Sequence, residues 1–395
     1  MTGLRLAYLA SRYPAVNHTY ILGEIRTLRS LGFELEVASV SSPDRPFDQL
    51  AAEERQEASR TFYIKSAGPL RALRAHAAAF FRRPIAYCAG LGYALGIRRG
   101  LLYFIEAVML GDWMISRSLS HVHIHFASTV GLIATRIFPI TMSNSIHGPA
   151  EFDDPIGFRL QEKVRRSLFV RAISSFGRSQ LMRVSDYSDW GKIEVSRLGV
   201  DPSRFAPRPF RDNPAPFEIV SAGRLSGEKG QHVLIDAIAR LAATGRNVRL
   251  RLVGDGPDRK SLAAHVAARG LTGHIVFEGW RSQEELRRLY SESDACALAS
   301  FLEGIPLALM EPMAMEIPCV ATRITGIPEL IRDGIDGLLV TPSDERELAD
   351  ALARLIDDPA LRRRLGQSAR CRILQDYDLQ KNITQLAAIF SRRLG

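Results

Sequence analysis

Two glutamates, Glu303 and Glu311, flank a Gly304-Ile305-Pro306 turn and an aliphatic run in the stretch EGIPLALME. Pro306 suits the first turn of a helix, which puts Glu303 on a loop and Glu311 about two turns in. The N-terminus of such a helix, opening through Gly304, Ile305, Pro306 and Leu307, offers free N–H groups and a favourable dipole to a diphosphate. Carboxylates beside a diphosphate would repel it, so they must face the neutral groups on either side. Glu303 is placed to accept from a sugar hydroxyl and Glu311 from a ribose hydroxyl. The spacing suits a ligand with a sugar at one end and a nucleoside at the other.

Upstream, VSAGRLSGEKG (220–230) reads as a buried strand entering a glycine-bearing turn. Arg224 there offers a planar fork to phosphate oxygens and Lys229 a mobile point charge. Taken alone, the same residues fit a surface turn with solvated charges. The stretch is neither GxGxxG nor GxxxxGK[ST], so it carries no dinucleotide or P-loop signature. LVGDGP (252–257) is either a second pocket-lining junction or an everyday turn. Trp280 in FEGW is a candidate platform for a base, or a partly buried structural tryptophan.

The first half holds fewer such residues. PAVNHTY places Asn17, His18 and Thr19 after a first strand, where ligands meet open α/β sheets, and they are candidates for the acceptor side. Helix N-capping by Asn17 or Thr19 explains them as well. In HVHIH, His121, His123 and His125 share one face of a strand. Metal ligation fits that geometry, a strand lined with hydrogen-bonded histidines fits it better, and His125 is placed to approach an acceptor.

Strands and helices alternate along most of the chain, which predicts βαβ units and parallel sheets. Strands are predicted in LRLAYLA, ELEVASV, HVHIHFA, ITMSNSIHG and LFVRAIS, and again in FEIVSAGRL, VRLRLVGDG, HIVFEGW, ACALAS and PCVATRI. Between the two sets lies FAPRPFRDNPAPF, which reads as an interdomain linker because proline suppresses both helix and central strand. Final helices are expected from Glu345 through about Gln375 and from about Leu379 to Arg393. The fold class is therefore α/β, with two doubly wound, Rossmann-like domains facing a central cleft.

With 395 residues, 46% hydrophobic and 24% charged, the chain has the composition of a globular protein of two domains. Its four cysteines are scattered with no CxxC pair, which fits a reducing cytoplasm better than a disulfide framework or zinc site. LRLAYLA reads as a strand rather than a signal peptide, since no charged segment precedes it. The apolar stretch 84–97 is too short to cross a bilayer. Net charge is +9, and Ala58–Ile105 holds no acidic residue while Arg60, Lys65, Arg71, Arg74, Arg82, Arg83, Arg98 and Arg99 all fall there. Interleaved with Phe80, Phe81, Tyr87, Tyr93, Leu101, Tyr103 and Phe104, these residues suit an anionic membrane surface. A helical insertion with a solvated basic face is the plainer reading, and no nucleic-acid motif accompanies the segment.

SFLEGIPLALMEPMAMEIPCVAT…TGIPELIRDGIDGLLV, with GRLSGEKG and RLGVDPSRFAPR upstream, resembles the retaining family-4 glycosyltransferases of the GT-B fold. The likeness covers about 170–375. SRYPAVNHTYILGEIRTL, HIHFAS and IHGPAEF resemble, more loosely, the exopolysaccharide and colanic-acid branch, whose members extend lipid-linked glycans. The resemblance implies a donor diphosphate on Arg224 and Lys229, the donor sugar on Glu303 and the ribose on Glu311. It also implies a catalytic role for His147 near the sugar's reacting face, no metal, and a leaving diphosphate that helps deprotonate the acceptor. EPMAM stands where Glu-Ala-Met-Ala is commoner, putting Pro312 in the helix's early turns, tolerable only if the helix begins near there. The one DxD, at 376–378, reads as a turn or helix cap.

The expected domains are 1–205 on the acceptor side, with a basic helical insertion at about 60–110, then 206–378 on the donor side, and a helix 379–395 returning to the first. The expected protein is a cytoplasmic, membrane-peripheral glycosyltransferase taking a nucleotide-diphosphate sugar as co-substrate and a saccharide or lipid-linked saccharide as acceptor, with no cofactor and no nucleic-acid partner. A nucleotide-sugar epimerase of GT-B-like fold is the rival within enzymes, and a donor-only assay separates the two. A non-catalytic sugar- or lipid-binding scaffold is the rival outside them, disfavoured by the joint presence of Glu303, Glu311, Arg224, Lys229 and His147.

Overall fold

The computed structural model describes residues 3–148 and 150–395, with the side chains of Asn17 and Ala150 left aside. Its contacts divide the chain into two compact units, Met1–Arg197 with Ile383–Gly395, and Leu198–Asn382. Each is a parallel sheet flanked by helices, a doubly wound α/β plan. The proline-rich stretch expected to join two domains lies wholly within the second unit. Arg208 and Arg211 fork onto the buried Asp294 carboxylate, at 3.3 Å and 2.9 Å, and pin the segment down.

The first sheet runs β3-β2-β1-β4-β5-β6-β7. Its strands are β1 (Arg5–Arg12), β2 (Glu34–Ser41), β3 (Phe62–Tyr63), β4 (His121–His125), β5 (Thr141–Ile146), β6 (Val170–Ala172) and β7 (Ile193–Val195). Strand order reverses between β1 and β4, so the loops leaving their carboxyl ends diverge and open a crevice there. β4 is buried along its whole length. Its Val122 and Ile124 join an apolar core with Trp113, Ile133 and Met142.

The opposite face of β4 carries the three histidines, and the parallel register sets them beside Thr141, Ser143 and Ser145 of β5. His121 bonds Thr141 and Ser143, each at 2.8 Å, and His123 bonds Ser143 at 2.7 Å and Ser145 at 2.8 Å. Phe390 of the C-terminal helix Leu379–Leu394 and Phe169 cover this face, with centroids 5.0 Å and 5.8 Å from the His123 ring. Every nitrogen of His121 and His123 is thus satisfied without water, as burial requires.

The insertion between β3 and β4 forms the helices Pro69–Arg82, Pro84–Leu95 and Gly100–Ser116. The first packs inward through Ala75 and Ala79 and leaves Leu70, Leu73, Phe80 and Phe81 outside. Phe104, expected among the surface residues, belongs to the core, and Tyr87, Tyr93 and Tyr103 pack against it. No helix among the described residues is long and apolar enough to cross a membrane.

The second sheet runs β10-β9-β8-β11-β12-β13, reversing between β8 and β11. Its strands are β8 (Phe217–Ala222), β9 (Val248–Val253), β10 (Ile275–Gly279), β11 (Ala295–Leu298), β12 (Cys319–Thr322) and β13 (Leu338–Val340). The long helix expected over 345–375 breaks into Glu345–Asp357 and Pro359–Asp376, because a residue before proline is driven out of helical geometry.

Burial pulls His121 down to about 3 and His123 well below the usual imidazole range. Unfolded, each ring takes a proton near pH 6.5. Below that point the unfolded chain binds more protons, so stability is full above about pH 6.5 and falls as pH drops toward the folded values. The limiting slope is about 1.4 kcal/mol per pH unit per ring. Urea midpoints between pH 7 and pH 5 should fall more steeply in the wild type than in a His121→Gln variant. Equal slopes would refute this account.

Candidate functional site

The second unit's candidate residues gather at the carboxyl ends of β8, β10 and β11, at and beside the sheet's switch point. Lys229 ends a short turn after β8, and Glu303 lies on the loop after β11. The two loops are tied together by a bond from the Phe301 amide to the Glu228 carbonyl, 2.8 Å. Gly230, at φ +61°, lets them close, since a Cβ there would sit 2.1 Å from the Ala299 carbonyl oxygen.

Glu303 is 8% exposed. Its Oε1 accepts from Lys229 Nζ at 2.7 Å and from Ser300 Oγ at 2.8 Å, while Oε2 takes no hydrogen bond among the described residues. The loop itself is fixed by Thr325 Oγ1 on the Glu303 carbonyl and Thr322 Oγ1 on the Ser300 carbonyl, both 2.6 Å. Lys229, expected on a phosphate, here holds the Glu303 carboxylate. Arg224 lies exposed.

The helix Leu307–Ala314 follows, with Pro306 as its cap residue. Leu309 and Met310 amides turn back to the Pro306 carbonyl, at 3.1 Å and 3.3 Å. The amides of Leu307 and Ala308 take no backbone acceptor among the described residues. Pro312 sits deeper in the helix than a first-turn proline. Its missing N–H frees the Ala308 carbonyl, which accepts instead from Cys296 Sγ at 3.6 Å. Glu311 Oε1 accepts from Gln283 Nε2 at 2.8 Å. Burial raises this carboxyl to about 7, against the opposing pull of Gln283 and the Tyr290 hydroxyl. Trp280, 45% exposed, follows β10 near Gln283.

The first unit's candidates also lie at its switch point. Five rings follow one another in a column, His147 and His125 meeting edge to edge through their nitrogens. Centroid distances are 4.6 Å for His18–Phe126, 4.8 Å for Phe126–His147, 4.9 Å for His147–His125 and 5.5 Å for His125–Tyr8. Phe126, at φ +63° and 39% exposed, holds a backbone conformation costly for a bulky residue. His125 Nδ1 lies 2.8 Å from His147 Nε2. His147 is 8% exposed, and its Nδ1 meets no partner among the described residues. Burial first, then the neighbouring His125, lowers its pKa well below the usual range, so the ring is neutral near pH 7.

Behind the column, Tyr8 OH donates to Glu24 Oε1 at 2.9 Å, and Arg171 Nη1 pairs with Glu24 Oε2. Arg171 also donates to the Ser196 and Arg197 carbonyls. His125 Nε2 stands 3.3 Å from Glu24 Oε1. The structure corrects the expectation that His125 approaches an acceptor: it is fully buried behind His147. The helix Thr19–Ser30 is capped at His18 with no side-chain cap bond, so Thr19 is not a cap, and the Asn17 side chain lies outside the described residues. Glu24, His123 and His125 bring ligand atoms within 4.8 Å of one another. Arg171, Ser143, Ser145 and His147 already engage them, which is the hydrogen-bonded reading of HVHIH. The DxD aspartates are engaged as well, Asp376 by Arg372 and Asp378 by the Lys381 amide.

Residues 204–372 match the family Glycosyl transferases group 1. Over 98% of this chain and 99% of the relative, the sequence is 28% identical to an Escherichia coli protein named as the colanic acid biosynthesis glycosyltransferase WcaL. An Erwinia amylovora protein named amylovoran biosynthesis glycosyltransferase AmsK is 32% identical over 51% of each chain. The crystal structure of Anabaena HepE in complex with UDP-glucose superposes with a TM-score of 0.77, at 20% identity, over 98% of this chain and all of that one.

Arg171 and Glu24 are both almost wholly buried. Arg171→Met should leave the Glu24 charge uncompensated and cost about 3–5 kcal/mol of stability. Equilibrium urea unfolding measures this, and an unchanged midpoint would show that the pair does not anchor the unit.

Proposed function

From a chain that is a glycosyltransferase of GT-B fold with a group 1 domain at 204–372, we propose a retaining enzyme that moves a sugar from a nucleotide-diphosphate sugar to a lipid-linked saccharide in cell-surface glycan synthesis. The observation that carries the donor reading is the Glu303 carboxylate, with one oxygen held by Lys229 and Ser300 and the other left for a sugar hydroxyl. The adjoining Leu307 and Ala308 amides, with Arg224 and Lys229, take the diphosphate charge that grows as the sugar leaves. Glu311 takes a ribose hydroxyl and Trp280 the base. His147 is assigned to a hydroxyl of the reacting sugar and His18 to the acceptor side. With cationic groups and a helix terminus supplying charge compensation, the reaction is assigned no divalent metal. The leaving diphosphate accepts the acceptor's proton on the same face of the sugar, and the protein positions the reactants.

The insertion supports a membrane-peripheral location on the cytoplasmic face. Phe81 and Ile85 are 81% and 85% exposed, and Leu70, Leu73, Leu95, Leu101 and Leu102 are exposed too. Arg71, Arg74, Arg82, Arg83, Arg98 and Arg99 lie exposed among them. Bulky apolar side chains outside and alanines inside invert the usual helix pattern. An anionic lipid surface would take both the apolar groups and the guanidinium groups.

Radiolabelled transfer to lipid extract, with UDP-sugars and other nucleotide sugars as donors, tests the reaction. Glu303→Ala and Lys229→Ala should each lower kcat/KM by the equivalent of about 1.5–3 kcal/mol, with the fold retained and with activity unaffected by chelator. Wild-type rates in both variants would end the site assignment.

Co-sedimentation with phosphatidylglycerol-containing vesicles tests the surface. Replacing Arg82, Arg83, Arg98 and Arg99 by serine should release the protein. Binding unchanged by those replacements would remove the membrane proposal.

A further inference from the structure

The proton count along the buried chain Arg171–Glu24–His125–His147 has one consistent solution. Glu24 Oε2 meets the Arg171 guanidinium, and Oε1 accepts from Tyr8. His125 Nε2 makes no hydrogen bond of good geometry, but a bare lone pair 3.3 Å from that anionic oxygen would be repelled, so the nitrogen carries a hydrogen. Arg171 already balances the Glu24 charge, and a second buried cation in this cluster would go uncompensated. His125 therefore holds one ring proton, and its Nδ1 is a lone pair. The 2.8 Å contact to His147 Nε2 then requires a donor on the His147 side. A doubly protonated His125 would instead force an N–H onto the buried, unpartnered His147 Nδ1.

We infer that Glu24 and His125 are positioning residues that fix His147 as its Nε2–H tautomer, leaving Nδ1 a pure acceptor for a sugar hydroxyl. The ring's orientation is also set apart from that hydrogen bond, because the Phe126 ring lies against it with centroids 4.8 Å apart and an interplanar angle of 30°. Tyr20, with its ring centroid 5.0 Å away, occupies a further side. A hydroxyl meeting Nδ1 must donate, so a substrate deoxygenated or O-methylated at that position loses the bond. That a sugar reaches Nδ1 rests on the function proposed above, whereas the tautomer does not.

Long-range ¹H–¹⁵N correlation on the full chain labelled with ¹⁵N-histidine reads the tautomer directly, with His147→Gln identifying the resonances by their loss. At neutral pH the wild-type ring should show a protonated Nε2 and an unprotonated Nδ1. A protonated Nδ1, a doubly protonated His147 or an imidazolium at His125 would overturn the inference. In Glu24→Gln/Arg171→Met, which removes the buried pair together and strands neither charge, the His147 signals should move toward mixed tautomers. Its kcat/KM should fall about tenfold, the equivalent of one hydrogen bond. Unmoved signals and an unmoved rate would remove Glu24 from the role. If the wild-type tautomer is as inferred while His147→Ala transfers sugar normally, the proposed site fails and the tautomer assignment stands.

Discussion

The Glu24 carboxylate and the Arg171 guanidinium come from a helix and a strand far apart in sequence, and neither keeps contact with water. Each charge is tolerable only because the other is there. That requirement fixes the Thr19–Ser30 helix against β6, and the rings of Tyr8 and His125 are set around the pair. Lys229 and Glu303 repeat the arrangement in the second unit, joining the loop after β8 to the loop after β11. In both cases a buried acid is aimed by a cation on another segment. Preorganisation of this kind leaves little to rearrange when a substrate arrives.

The parallel sheets were legible because their strands are apolar runs of ordinary length bounded by turn residues. What escaped were β3, β7 and β13, each two or three residues long and too short to show a period. Glu303, Arg224 and Lys229 stood out as candidates because charge and glycine cluster along single loops, and Glu311 because it follows one of them within the next helix. Glu24 and Arg171 could not be paired, since nothing in one sequence links positions so far apart. Each did leave a trace. Glu24 falls on the apolar face of its helix with Ile21, Ile25 and Leu28, and Arg171 interrupts an apolar strand. A charge where the pattern demands an aliphatic residue signals a buried partner elsewhere.

The histidine strand shows the limit of the reverse inference. Alternation placed His121, His123 and His125 on one face, but their meaning depended on what β5 set opposite them. Thr141, Ser143 and Ser145 turn potential ligands into a hydrogen-bonded ladder. The same register gives His125 no hydroxyl bond of this kind, and it reaches forward to His147 instead. One step along the strand separates a histidine held by hydroxyls from one that reaches another histidine.

Glu303 and Glu311 are the same residue type in opposite electrostatic settings. Glu303 has a cation within hydrogen-bond reach and stays aimed through it. Glu311 has only an amide and a phenol for company, and burial lifts its carboxyl to about 7. At neutral pH the unliganded acid is therefore divided between its two protonation states. A ribose hydroxyl that donates to it stabilises the carboxylate, because hydrogen bonds to the charged form lower a pKa. Under the proposed function, donor binding and proton release are thus coupled at Glu311, where an amide and a phenol rather than a cation accompany the carboxyl.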